Sequence, residues 1–176
     1  MFDNEYSFKG RHALRVKKLT SQFDSNSTSQ LFSRNIDIYI IAPIIGFLYN
    51  RKEPIDKTID EATKIMGDRM IKSAEELKYN YRLIMLLDSK HEANSEERIN
   101  KAFKYIGTEK ATVDEELFEE YVRGGIDVLY EKLIETSSSS DDYISNLYDF
   151  MEDFDQKFNS TISCDNIDDL CKLARS

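Results

Sequence analysis

The side chains best suited to acid–base chemistry lie in one short segment that contains Asp88, His91 and Glu92. A histidine beside carboxylates can act as a general base or bind a metal ion. A zinc site normally takes three or four Cys, His or carboxylate ligands, and the chain has only one other histidine, His12. A small hydrolase that uses Asp88, His91 and Glu92 is one function hypothesis. The alternative, that solvent and nearby acids simply surround a loop histidine, is the more common arrangement, and we expect no bound metal or cofactor.

Other catalytic patterns are missing from the sequence. There is no Gly-x-x-x-x-Gly-Lys phosphate loop and no Gly-x-Ser-x-Gly nucleophile turn. Cys164 and Cys171 are seven residues apart, which is about 10.5 Å along a helix and too far for a disulfide. We therefore expect reduced cysteines and a protein without a catalytic site of its own.

Basic residues are concentrated near the start of the chain. The first 51 residues carry a net charge of +3, although the whole chain carries −9. Such an asymmetry indicates a partner that meets one end of the protein. The candidate residues for contact with nucleic acid or an acidic partner are Lys9, Arg11, Arg15, Lys17, Lys18, Arg34, Arg51 and Lys52. The alternative is that this arm folds back onto the acidic remainder of the chain.

Acidic residues form two groups on predicted helices. The candidates for an acidic partner surface are Glu115, Glu116, Glu119, Asp149, Glu152 and Asp153. A solvated helix face is the simpler interpretation. The sharper hypothesis is an acidic inhibitor that occupies the nucleic-acid groove of a partner.

The apolar residues recur with the helical period, and no segment shows a convincing period of two. The sequence predicts an all-α, single-domain bundle of six or seven helices. We assign residues 1–30 to a basic arm and loop and residues 31–176 to the bundle. The region 55–67 is ambiguous, with a short helix possible over 58–66.

Local signals give more detailed predictions. The apolar helix over 31–49 should be kinked or divided at Pro43. Asn94 or Ser95, Thr112 and Ser140 are the expected helix caps. Gly124-Gly125 should mark either a break or a close approach of another backbone. A helix with the apolar stripe Ile144, Leu147, Met151, Phe154 and Phe158, and a last short helix from Asp165, complete the chain.

The longest apolar run, residues 38–49, is shorter than the roughly 20 residues that a membrane span requires. The first residues lack the basic and then apolar pattern of a signal peptide. We expect a cytoplasmic protein with no membrane contact.

Residues 34–52 combine a polar start, an apolar helix with Gly46 near its centre and the terminal pair Arg51-Lys52. This pattern resembles small bacterial proteins associated with DNA phosphorothioation (Dnd) loci. The resemblance implies an accessory protein of a phage-defence or DNA-modification system without its own catalytic site. The leading hypothesis is therefore a non-enzymatic helical subunit or adaptor of a prokaryotic complex, in contact with other protein subunits and with DNA or RNA through the arm.

Overall fold

The computed structural model describes residues 1–23 and 29–159. In this part of the chain the elements run in the order β1 (Tyr6–Lys9), α1 (Gly10–Leu19), α2 (Asn35–Leu48), β2 (Ala62–Ile65), α3 (Gly67–Lys72), α4 (Ala74–Leu87), α5 (Ser95–Ile99), α6 (Thr112–Leu133) and α7 (Ser140–Phe158). A π-helical turn, Asn100–Lys104, follows α5, and a 3₁₀ turn, Glu109–Ala111, precedes α6. The predicted last helix, Cys164 and Cys171 lie outside the described residues.

The fold is mostly helical, as predicted, but it is not purely all-α. β1 and β2 form an antiparallel pair in which Tyr6 lies opposite Ile65 and Phe8 lies opposite Thr63. The suggested helix over 58–66 is therefore wrong. Each strand has only four residues, so the alternation of buried and exposed positions is too short to stand out in the sequence.

The centre of the molecule is the crossing of α2 and α6. A methyl group on Gly125 would lie 1.8 Å from the backbone oxygen of Ala42, and one on Gly46 would lie 2.1 Å from that of Tyr121. Only glycine allows two helix backbones to approach so closely. The Gly124-Gly125 pair thus serves close packing within a continuous helix, and Pro43 does not divide α2.

One of the predicted helix caps is confirmed and two are wrong. Asn94 caps α5 by accepting from the backbone N–H groups of Glu96 and Glu97. The predicted cap at Thr112 is wrong, because the 3₁₀ turn runs directly into α6 and the Thr112 hydroxyl donates to the Glu109 carbonyl. Ser139, rather than Ser140, caps α7, with Asp142 completing the capping box.

No helix within residues 1–23 and 29–159 is both long and apolar enough to cross a membrane.

Candidate functional site

The basic α1 helix packs against the rest of the protein through its apolar side. Ala13, Val16 and Leu19 are buried in the main core together with Phe8 of β1. This burial brings the polar side of α1 next to α6. The contacts agree with the alternative in which the arm folds back onto the remainder of the chain.

Asp127 of α6 is only 1% exposed, yet four basic side chains of this region contact its carboxylate. Arg15 makes an ion pair with its Oδ1, and His12 Nε2 lies 3.2 Å from the same oxygen. Arg11 Nη2 and Arg51 Nη2 lie 3.3 and 3.7 Å from Oδ2. We call these five residues the Asp127 cluster.

The cluster changes the titration of its carboxylate. Burial alone would raise the pKa of Asp127, but the contacts with His12 and Arg15 outweigh this effect and lower the pKa below its usual value. Two outer carboxylates complete the charge balance: Glu53 accepts from Arg11 at 2.6 Å, and Glu131 accepts from Arg51 at 2.6 Å. Three of the eight predicted basic contact residues, Arg11, Arg15 and Arg51, therefore belong to the Asp127 cluster.

The other five predicted basic residues differ in whether an acid of the same chain already pairs with them. Lys17 pairs with Glu61 at 2.7 Å and Arg34 pairs with Asp37 at 2.6 Å, both at the surface. The Lys52 ammonium lies 5.5 Å from the centre of the Tyr121 ring. Within the described part of the chain, Lys9 and Lys18 make no ion pair.

An open cavity of about 700 Å³ lies beside α1. Lys18, Lys17 and Arg15 line it together with Tyr130 and a single acid, Glu135, and Arg11, Leu14 and Ser21 complete its wall. This cavity is the part of the predicted basic arm that remains open to an outside partner.

In the first acidic group, which contains Glu115, Glu116 and Glu119, two of the three side chains bind groups of the same chain. Glu119 accepts from the hydroxyl groups of Tyr6 and Tyr39, at 2.6 and 2.5 Å. Burial of its carboxylate raises the pKa of Glu119, although both hydrogen bonds oppose that shift. Glu116 pairs with Arg123 at 2.9 Å, whereas Glu115 has no cation partner within 1–23 and 29–159.

Asp88, His91 and Glu92 do not converge on a common point. Asp88 is buried and accepts from the Tyr121 hydroxyl at 2.7 Å and from the backbone N–H of His91 at 3.0 Å. Glu92 accepts from the backbone N–H of Asn94 at 3.0 Å. Both carboxylates thus order the connection between α4 and α5.

The partner of His91 is Asp114, in the first turn of α6, which sequence reasoning did not identify. His91 Nε2 lies 2.7 Å from Asp114 Oδ1, and Lys101 donates to the same oxygen at 2.8 Å. The only local signal was an acid at the start of a helix, where it is commonly found for the helix dipole alone. Among the described residues, no group of three or more His, Cys, Asp or Glu side chains could hold a metal ion.

The remaining feature of the site is an apolar surface on α7. Its inner side carries Tyr143, Phe150 and Phe158; Phe150 stacks on Tyr49, and Tyr143 stacks on Phe23. The predicted inward stripe is therefore wrong at Ile144, Leu147 and Met151, which are 61%, 37% and 62% exposed. The helix carries apolar residues on more than one side, so spacing alone does not select the side that packs.

Comparison with known families adds to these observations. The model of the family described as DNA sulphur modification system-associated protein 4 matches residues 11–165. The match confirms the resemblance noted over residues 34–52 and extends it across most of the chain. No curated protein and no solved structure matches the chain.

Proposed function

The chain belongs to the family of DNA sulphur modification system-associated protein 4, and on that premise we propose that it is a non-enzymatic subunit or adaptor of a DNA sulphur modification system. Its role would be to hold other components together, with the open face of α1 in contact with nucleic acid or an acidic partner. Antiviral defence is the process that we propose for the whole system.

The observation that carries this proposal is that the side chains best suited to acid–base chemistry are bonded to other groups of the same chain. His12 lies in the Asp127 cluster and His91 is paired with Asp114. Asp88 and Glu92 bond to the chain's own donors. A general base needs a free path to its substrate, whereas each of these groups already has a partner within the same chain.

Contact through α1 and the adjoining end of β1 is supported by the two lysines that no acid of the described residues neutralises. Lys9 and Lys18 lack an ion pair with any residue that the structure describes, and Lys18 lines the cavity beside Arg15 and Tyr130. Cations around an open cavity can neutralise phosphates, and an aromatic ring can stack on a base.

The test of this contact is the salt dependence of duplex DNA binding, measured by fluorescence anisotropy. Each phosphate neutralised contributes about 0.9 to the slope of log K against log salt, so Lys9→Glu/Lys18→Glu should flatten the slope by about 2. Arg11 and Arg15 are unsuitable for this test because their reversal would disturb Asp127. The control Lys72→Glu/Lys104→Glu changes the net charge equally at exposed positions on other elements.

An unchanged slope in the Lys9/Lys18 variant, or an equal change in the control, would refute the α1 contact. The subunit role has a separate test, which is purification from the native host with and without nuclease. Partners that resist nuclease in fixed ratio support a subunit, whereas partners lost with nuclease support attachment through nucleic acid. A protein recovered alone would favour the hydrolase hypothesis.

A further inference from the structure

We propose that the groove between α2 and α7 binds an amphipathic helix of a protein partner that carries basic residues beside its apolar stripe. This inference rests on the proposal that the chain is a subunit of a larger assembly. It deepens that proposal by naming the surface and the chemistry of the partner.

The groove has the shape and lining of a helix-binding site. It has a volume of about 590 Å³, with Ile41 and Ile45 of α2 on one wall and Tyr148 and Met151 of α7 on the other. Phe150 and Phe154 form part of the lining, which makes the surface largely apolar. A groove between two helices with apolar walls is a common receptor for the apolar face of a third helix.

Three exposed apolar residues of α7 have the spacing that is typical of a row that packs against another helix. Ile144, Tyr148 and Met151 are separated by four and three residues, so they lie along one side of the helix. Their exposed fractions are 61%, 68% and 62%. The inner side of α7 already has its own packing through Tyr143 and Phe150. The outer row is therefore additional to what the bundle requires.

The charge beside this row determines which partner fits. Glu152 and Asp155 line the groove together with Met151. Neither pairs with a cation within residues 1–23 and 29–159. α7 as a whole carries six acidic residues and one lysine. A partner with Lys or Arg next to its apolar stripe would bury the row and compensate both carboxylates.

The same charges disfavour two other occupants. A second copy of this chain would bring two acidic helices together, and like charges across an interface cost free energy. Nucleic acid would meet carboxylates instead of cations. Charge complementarity thus favours a basic protein segment.

The direct test is site-specific photo-crosslinking of the full chain in its native host. A benzophenone amino acid replaces Tyr148 or Met151, and the control places it at Lys72, which is exposed on α3. Substitution at the two α7 positions should be tolerated because both side chains lie mostly in solvent. We expect a crosslink from both α7 positions, and not from the control, to one segment of another protein. That segment should have excess Lys and Arg and apolar residues spaced three and four apart.

Several results would overturn the proposal. These are crosslinks to residues 160–176 of the same chain, to a second copy, to nucleic acid or to an acidic segment, and the absence of any crosslink. If stoichiometric partners co-purify while the α7 positions give no crosslink, this inference fails and the proposed subunit role stands. If the protein purifies alone, both fail.

A second measurement tests the charge argument with a synthetic peptide that spans the crosslinked segment. Glu152→Lys/Asp155→Lys should weaken binding by about tenfold, as expected for the loss of two partly screened ion pairs. The control Asp60→Lys/Glu76→Lys makes the same change in net charge at exposed acids elsewhere. Equal affinity of the two variants would show that the acidic rim does not select the partner.

Discussion

Replacement of Asp127 by Asn should cause a large loss of stability at neutral pH. The change removes the counter-charge of Arg15, which is 21% exposed, and the partner of His12, which is 1% exposed. Loss of one member of a buried ion pair costs about 3–5 kcal/mol. We expect about 3 kcal/mol, because Arg11 and Arg51 keep Glu53 as a partner.

For a chain of this length, a loss of about 3 kcal/mol corresponds to a fall in Tm of about 6–12 °C. The assay is urea unfolding followed by circular dichroism, with thermal melts as a second readout. The control is Glu131→Gln, which breaks only the half-exposed pair with Arg51 and should cost at most about 1 kcal/mol.

The pH dependence gives the effect a definite sign. Because the pKa of Asp127 is lowered in the folded protein, its ionised form stabilises the fold above the unfolded pKa of about 3.9. This contribution is lost as the pH falls through the lower folded pKa. The stability difference between wild type and Asp127→Asn should therefore be complete at pH 7 and shrink below about pH 4. A difference under about 1 kcal/mol at pH 7, or one that persists unchanged to pH 2, would refute the reasoning.

Three further predictions concern Gly125, Glu119 and His91. Gly125→Ala should lower the free energy of unfolding in urea by at least about 3 kcal/mol, because the added methyl group would lie 1.8 Å from a backbone oxygen of α2. The control Gly67→Ala, whose added methyl group would lie 3.5 Å from its nearest atom, should be nearly neutral, and equal losses would contradict the close crossing of α2 and α6. Since the pKa of Glu119 is raised, wild type should lose stability relative to Glu119→Gln as the pH rises from about 4.3, and a pH-independent difference would contradict that shift. His91→Ala should cost about 1 kcal/mol and leave the function of the system intact, because a lysine remains on its carboxylate partner; loss of function in a folded variant would support the hydrolase hypothesis.

Strong helical periods in the sequence were enough to place the buried residues of several helices. The spacing of Met70, Ala74, Leu77, Tyr81 and Ile84 by four and three residues predicts one helix with a buried row. Four of these residues are buried and Ala74 is partly buried, but the structure divides the row between α3 and α4. Gly107 stands where a glycine commonly ends a helix, and its positive φ of 76° confirms this prediction. Both features depend only on residues that are close together in the sequence, so one segment is enough to predict them.

The errors arise where tertiary contacts decide between local alternatives. Phe8 reads as part of a polar arm, yet it is buried because β1 pairs with a strand more than 50 residues away. α7 has apolar residues on both sides, and its period does not show that Phe150, instead of Met151, packs inward. A helix with two possible faces can be oriented only by the surface on which it packs.

The candidate site shows the same limit more strongly. From the sequence, Arg11 and Arg15 are candidates both for an outside partner and for acids of the same chain, and their actual partner, Asp127, cannot be identified because it lies more than 110 residues away. Spacing along α6 does not indicate that Asp127 is buried while Glu116, on the same helix, is exposed. The packing of α1 is needed to distinguish cations that face outward, such as Lys18, from cations that face inward.

The measurement that tests the central claim most directly is the mass of the assembly that contains this chain in a nuclease-treated extract of the native host. We expect a complex well above the 20.5 kDa of the single chain, with other proteins present in fixed ratio. A species of 20.5 kDa that contains only this chain would contradict it.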